Sequence, residues 1–405
     1  MKALSLFTLL CLTSSLVANE SNATLDSYIS KYKQAEFSYD YEKNEAEASK
    51  LRDSWIAPVR LNYSYSKSNP YIGEQTSQSA SVRMEQPIFQ SGGIYYGIKF
   101  AGASKLLSDY TTDSAKRKLI KESVSLLMQI KQYEFKEKKQ KLQIDNADIN
   151  LQLKKEQYLS GQLDSGFLDD AIIQKNVVIQ SMYDIQTMKE KLIAQFESLS
   201  DLDYKSVEVP HLELISQEEF LKHNIALKVS EANQEMNMYA KDVRVAAYLP
   251  NVNFTASYNW NKKENQQFSE VLPASSEEND YYSYGVAVSI PLDINTFRDI
   301  ESARVDYLKS KVLKEDKKRE LNALFKQVMQ NIANYDKKIA LSRENIALYS
   351  KLLSDTKELY SAGYKTEYDV KTLENSLKIQ NMDREIFEID KQLELLTLYE
   401  MYISR

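Results

Sequence analysis

The sequence predicts an α+β membrane protein. Long antiparallel coiled-coil helices are expected to form an α-barrel shared by three chains, and four β-strands per chain to contribute to a shared 12-strand transmembrane β-barrel. Three observations support this fold class. Long segments contain no glycine or proline, four segments alternate with a period of two, and one order of elements occurs twice. That order is helix, strand, loop, strand, long helix, turn, helix.

The 9 glycines and 7 prolines are confined to a few places in the chain. Residues 103–160, 167–209, 292–362 and 364–405 contain neither of them. Because glycine and proline are the main local helix breakers, these segments can form very long helices. At 1.5 Å per residue, the stretch 296–362 alone would be on the order of 100 Å long.

A heptad pattern in this stretch predicts left-handed packing against a neighbouring helix. With one gap at Ser342, it comprises Leu321, Phe325, Val328, Ile332, Tyr335, Ile339, Ile346, Tyr349 and Leu353. The other helices fit as half-length partners, with 21–54 and 167–200 matching 93–160 in length. Segments 217–248 and 364–403 match 292–362 in the same way. A layered helical cylinder explains these lengths better than a globular bundle does.

Four segments near residues 59–66, 80–85, 252–260 and 282–290 alternate apolar and polar side chains. By itself this pattern is typical of a half-buried antiparallel sheet. Strand lengths of about ten residues, aromatic residues near the strand ends and a preceding secretory signal favour a membrane β-barrel with a polar lumen. The expected outer aromatic girdle comprises Tyr63, Tyr65, Tyr258, Trp260, Tyr282 and Tyr284, and Trp55 and Phe89 lie where an inner one would be.

Four strands cannot enclose a lumen, because small barrels need about eight. Several chains must therefore share one barrel, and three chains with twelve strands would leave an aqueous channel. No segment after the signal approaches the roughly 20 apolar residues of a transmembrane helix, so strands would have to cross the membrane. The charge of −6 without a basic patch makes nucleic acid an unsuitable partner.

The predicted organisation has three parts. Residues 1–18 are expected to be a signal peptide, with Lys2 before a short apolar core. Residues 19–202 form the first repeat with its strand hairpin at 56–90, and 203–405 form the second with its hairpin at 250–291. The only cysteine, Cys11, lies in the signal, so the mature chain would have no disulfide.

Six short motifs resemble those of the TolC-like outer-membrane channel family, over nearly the whole mature sequence. The strand-to-helix junctions are 86–93 (QPIFQSGG) and 290–292 (IPL). The helix-to-strand junctions are 248–252 (YLPNV) and 57–59 (APV). The helix-to-helix turns are 360–363 (YSAG) followed by Asp369, and 158–161 (YLSG) followed by Asp169 with two extra residues. One such motif is weak, but six in the right order are strong.

The resemblance implies a homotrimeric channel in the outer membrane with a long periplasmic extension. Such a channel is the passive exit duct of a tripartite efflux or type I secretion system. An inner-membrane transporter of the RND or ABC type would deliver substrate through a periplasmic adaptor that docks at the helical tips, near Gly161, Gly166 and Gly363. No catalytic residue, metal or cofactor is implied.

The resemblance also places a gate at the tips. The candidates are Asp369, Asp169, Asp170, Lys365 and Tyr360. A second acid usually follows the tip aspartate by three positions, but Thr372 stands there. For each acid, the alternative is a helix N-terminal residue that complements the helix dipole.

Two other classes compete with the channel. An enzyme is disfavoured because the chain has only His211 and His223 and no Ser/His/Asp arrangement; the acidic stretch 276–280 is expected to be a solvated external loop. A soluble periplasmic coiled-coil or adaptor protein would share the signal and the heptads, but it should carry a Gly-rich lipoyl-like domain that this chain lacks. Among channels, drug efflux, metal efflux and protein secretion fit the sequence about equally.

Overall fold

The computed structural model describes residues 25–69, 74–265 and 275–403. The predicted signal peptide lies outside the described residues. The first element of the described residues is a single 3₁₀ turn, Asp26–Tyr28. The elements that follow are α1 (Lys31–Arg52), β1 (Arg60–Ser68), β2 (Gln75–Phe89), α2 (Gly93–Leu159), α3 (Ser165–Leu199), α4 (Gln217–Lys222), α5 (Ile225–Ala247), β3 (Asn251–Asn265), β4 (Ser275–Ser289), α6 (Thr296–Ser361) and α7 (Glu367–Met401).

The part of the predicted fold class that concerns a single chain is confirmed, because long helices accompany a four-stranded antiparallel sheet. Helices α2 and α6 contain 67 and 66 residues and are unbroken. Their lengths follow from the absence of glycine and proline over most of each segment. None of the described helices is both long and apolar enough to cross a membrane.

The chain forms two compact units. The strand unit contains the sheet and comprises the described residues within 37–115 and 224–324. The helical unit comprises the described residues up to 36, together with 116–223 and those from 325 onward. Each unit draws segments from both halves of the sequence, so the compact units cut across both predicted repeats.

The sheet of the strand unit has the strand order β1-β2-β3-β4, and all its pairings are antiparallel. Strands β2, β3 and β4 each contain 15 residues. They are therefore longer than the ten or so residues predicted from the alternation. The predicted external loop at 276–280 is wrong, because these residues belong to β4 and pair with β3.

The predicted helix at 217–248 is broken into α4 and α5. Asn224 begins α5, and its side-chain oxygen accepts hydrogen bonds from the backbone N–H groups of Ala226 (2.9 Å) and Leu227 (3.3 Å). Asparagine is a strong N-cap residue because its side chain satisfies donors that the first helical turn leaves free. The break therefore has a local sequence cause.

Apolar residues of α2 and α3 form the core of the helical unit, and they comprise Leu126, Leu127, Ile130, Leu192, Ile193 and Phe196. Phe196 is fully buried at its centre. The heptad residues Val328, Ile332 and Ile339 of α6 are also buried, and so is Ser342 at the gap in the pattern. The buried face of α6 thus continues through the gap in the heptad pattern, where it carries a small polar side chain.

Candidate functional site

The apolar faces of the four strands form one continuous surface, because the register aligns their residues in rows across the sheet. Leu61 pairs with Val82, which pairs with Tyr258, which in turn pairs with Tyr282. The apolar row next to it contains Tyr63, Ala80 and Trp260. Residues in register point to the same side of a sheet, so the period-two patterns of the four strands reinforce one another.

The six predicted girdle residues all lie on this apolar face. Tyr63, Tyr65, Tyr282 and Tyr284 are between 58% and 75% exposed. The rings of Tyr282 and Tyr284 stack nearly parallel, with their centroids 6.4 Å apart. This is an unusually large exposed aromatic surface for a protein in water, and such patches mark sites of membrane or protein contact.

The girdle lies in the middle of the strands rather than at their ends. Beyond it, the same face carries charged residues, including Lys67, Lys262 and Glu278. Trp260 Nε1 donates to Glu278 Oε1 at 2.8 Å, and Tyr258 Oη donates to Asp280 Oδ2 at 3.1 Å. Amphipathic rings whose polar atoms meet acids mark the boundary between an apolar and a wet surface. The apolar band therefore ends on β3 at Trp260, and charged residues follow it on the same face.

At its other end, the sheet is joined to the segment before β1 by Gln86. Its side-chain oxygen accepts from Ala57 N at 2.9 Å, and its Nε2 donates to Trp55 O at 3.0 Å. A glutamine on the apolar face is thus satisfied by backbone groups. Trp55 and Phe89, the predicted inner aromatic residues, are exposed in this region.

The opposite face of the sheet carries mostly polar residues. Short side chains bond across it, as in the pairs Ser64–Ser79 (2.8 Å) and Ser257–Ser283 (2.9 Å) between hydroxyl oxygens. Near the helical end of the sheet, this face contains a concave pocket of about 320 Å³. Its lining includes Arg60, Arg83, Glu85, Asn251, Asn253 and Ser289.

The two predicted tip turns lie in the helical unit and have the same backbone structure. Gly161 and Gly363 have φ values of +73° and +82°, which favour glycine. After each glycine, the next N–H bonds back to a carbonyl five residues earlier: Gln162 to Gln157 at 2.9 Å, and Tyr364 to Leu359 at 2.8 Å. These are Schellman motifs, which end helices α2 and α6.

Asp369 belongs to a capping box at the start of α7. Its Oδ2 accepts from the backbone N and the hydroxyl of Thr366, both at 2.9 Å, and its own N–H donates to Thr366 Oγ1 at 3.2 Å. Lys365 Nζ lies 3.7 Å from the other carboxylate oxygen. The hydrogen bonds from Thr366, with a smaller contribution from Lys365, lower the pKa of Asp369. The carboxylate is therefore charged, and it stabilises the helix start.

The first turn is capped differently, by Asp164, which the sequence analysis missed. Its Oδ1 accepts from Gly166 N at 2.9 Å, and a Cβ at Gly166 would approach that oxygen to 3.1 Å. Both caps follow their turn glycine by three residues, so the first turn has no extra residues. The structural equivalent of Asp369 is Phe167. The expected register that matched Asp169 to Asp369 is therefore wrong, and Asp169 and Asp170 lie further along α3.

Other tip residues connect the helices. Tyr360 and its counterpart Tyr158 are both exposed. Tyr368 Oη donates to Glu156 Oε1 at 3.1 Å, joining α7 to α2. Lys357 of α6 pairs with Glu374 of α7 at 2.7 Å. The gate role of Asp369, Asp169, Asp170, Lys365 and Tyr360, and the docking role of the three tip glycines, stay predictions.

An antiparallel sheet with one apolar, aromatic face, attached to helices of nearly 70 residues, is the architecture that the sequence predicted for one chain of an outer-membrane channel. Residues 217–401 match the protein family described as outer membrane efflux protein. No curated protein sequence is significantly similar to the chain. Solved structures of very different sequence, however, share its fold over more than nine-tenths of its length.

Three of these structures illustrate the similarity. The CmeC outer membrane channel of Campylobacter jejuni has a TM-score of 0.72 and 13% identity, covering 95% of this chain and 86% of its own. For VceC of Vibrio cholerae the values are 0.67 and 15%, with 94% and 95% covered. For the open state of the MtrE channel of Neisseria gonorrhoeae they are 0.62 and 12%, with 93% and 87% covered.

The predicted resemblance to TolC-like outer-membrane channels agrees with the match over residues 217–401, and the solved structures share the fold over more than nine-tenths of the chain. The predicted outer-membrane location agrees with the description of the family that residues 217–401 match.

Proposed function

We propose that this chain is the outer-membrane exit duct of an efflux or type I secretion system. The duct conducts substrates passively across the outer membrane. The proposal rests on the two-sided sheet, in which an apolar aromatic face and a polar face run in register across all four strands. Both faces are exposed on β1 and β4 and half-buried along most of β2 and β3. In a lipid bilayer the apolar face contacts hydrocarbon, and the polar face lines water.

The ends of the sheet support a trimer. Among the described residues, β1 and β4 each have one strand neighbour, so each presents an edge that this part of the chain leaves unpaired. Unpaired strand edges in a membrane are costly because no water can satisfy their N–H and C=O groups. Pairing β4 of one chain with β1 of the next closes a barrel, and three copies give twelve strands around an aqueous lumen.

The duct works with two protein partners. A periplasmic adaptor docks at the tip turns around Gly161, Gly166 and Gly363, where exposed backbone and the side chains of Tyr158 and Tyr360 are available. An inner-membrane transporter of the RND or ABC type supplies the energy. The duct itself holds no cofactor.

Planar-bilayer recording tests the proposal. Protein extracted from membranes with detergent should open discrete ion-conducting channels of uniform size. A protein that washes off membranes without detergent and never conducts would instead be the soluble periplasmic coiled-coil or adaptor protein. A strain lacking the chain should also accumulate substrates that the wild type exports.

Asp369 is the acid we assign to the tip constriction. Three symmetry-related carboxylates would favour cations there. Asp369→Asn should weaken cation selectivity, whereas Asp164→Asn is the matched control, because asparagine also caps helices well and the same charge is removed. Equal effects of the two substitutions, or none from either, would remove Asp369 from the constriction.

A further inference from the structure

Two arginines face each other on the polar side of the sheet. Arg60 of β1 is in register with Arg83 of β2, and both side chains are exposed. Like charges directly opposite each other destabilise a strand pair. Among the ion pairs of the described residues, neither arginine takes part in one. The sheet therefore carries a repulsive pair that its own ion pairs do not neutralise.

The surroundings leave most of this charge uncompensated. The next residues in register, Ser257 on β3 and Ser283 on β4, are neutral. Glu85 lines the same pocket, but its Oε1 accepts from Asn253 Nδ2 at 3.2 Å. Two arginines and one glutamate leave a net charge of about +1 per chain at this level, or about +3 in a trimer.

The other charges on the polar face cancel. Lys263 of β3 is in register with Glu277 of β4, so opposite charges are adjacent there. The uncompensated positive charge is thus concentrated at one level of the sheet, beside the pocket of about 320 Å³ whose lining also includes the amides Asn251 and Asn253. We call Arg60 and Arg83 the basic band.

We propose that the basic band is an anion-recognising ring in the barrel lumen, which binds the carboxylate or phosphate groups of transported substrates weakly and in passing. The inference rests on the proposed function, since the ring exists only if the polar face lines a shared lumen. Arginine is suited to this task because its planar guanidinium can offer two parallel hydrogen bonds to an oxyanion. Rings of charged side chains, surrounded by low-dielectric walls, set which ions enter a pore.

The first test is ion selectivity in a KCl gradient across a planar bilayer. The double substitution Arg60→Gln and Arg83→Gln should lower the chloride-to-potassium permeability ratio by roughly twofold or more, because the local potential changes sign. Lys67→Gln is the matched control: Lys67 lies on the apolar face and pairs with Glu74 at 2.5 Å, so its loss should leave the ratio unchanged. An unchanged ratio in the double variant would overturn the inference.

The second test uses citrate as a probe anion. Citrate added to one side should produce brief, voltage-dependent blocks of the wild-type current, and the double arginine variant should lose them. Glu85→Gln removes the opposing charge and should lengthen the blocks. Blocks of equal duration in all three proteins would contradict the basic band. The two failures are separable, because absence of any channel refutes the duct itself, whereas normal channels without these effects refute only the ring.

Discussion

An arginine placed on each face of β4 in turn tests which face meets lipid. Val286 is 64% exposed on the apolar face and pairs with Phe254, whereas its neighbour Ala287 lies on the polar face opposite Asn253. The apolar band runs on β3 from Val252 to Trp260. With a rise of about 3.4 Å and a strand tilt of about 40°, Val286 lies about 5 Å from its centre.

At that depth Val286→Arg should cost about 2–3 kcal/mol per chain, since arginine at the midplane of a barrel's lipid face costs about 2–4 kcal/mol. The ratio of folded to unfolded protein should therefore fall by about 30- to 150-fold at a given denaturant concentration. Ala287→Arg should cost little, because the side chain enters water. The assay is urea unfolding of protein refolded into lipid vesicles. The amount of folded barrel is read from its gel mobility, which changes when the sample is heated. Equal destabilisation by both substitutions, or a larger effect at position 287, would refute the assignment of faces.

Three further results are expected for the helical unit. Phe196→Ala should destabilise it by about 3–5 kcal/mol, because a fully buried aromatic ring leaves a cavity; a loss below about 1 kcal/mol in denaturant unfolding would contradict the packing. Thr366→Ala should cost about 1 kcal/mol through loss of the capping box, and Thr366→Ser should restore it in the same assay. Since folding lowers the pKa of Asp369, its contribution should be complete above about pH 4 and decline as pH falls through the lowered value. Unfolding of Asp369→Asn between about pH 3 and pH 7 should lack that component, and an unchanged pH dependence would contradict it.

The existence and order of the elements were predictable because their signals are repeated over many residues. Long segments without helix breakers indicated α2 and α6, and the heptad pattern indicated the buried side of α6. The alternation of β3 from Val252 to Trp260 predicted its apolar face correctly. Each of these inferences depends on periodicity, which local packing follows closely.

The strand ends were harder to predict for a physical reason. Beyond the girdle both faces of the sheet meet water, so no alternation of apolar and polar residues is required there. Lys262, Glu264 and Glu277 therefore resemble loop residues in sequence, although cross-strand pairing holds them in β3 and β4. The acids at 278 and 280 gain a role that only the register reveals, as acceptors for Trp260 and Tyr258.

At the tips, the turn glycines were recognisable in the sequence, but the segments after them were aligned incorrectly. Counting from Gly161 to the nearest aspartate pair suggested an insertion, whereas counting to the cap shows equal spacing in both turns. Asp164 was recognisable as a cap, because Asp followed by a helical pattern is a typical helix start. The pairing of Arg60 with Arg83 could not be found without the register, since the two residues belong to different strands whose alignment the sequence does not specify.

The central claim is that three chains share one barrel. The most direct measurement is native mass spectrometry of the mature protein released from detergent micelles. The account predicts a single species of three chains that loses its barrel on heating. A monomer or dimer as the stable species, with the sheet still folded, would contradict the shared barrel and the duct built on it.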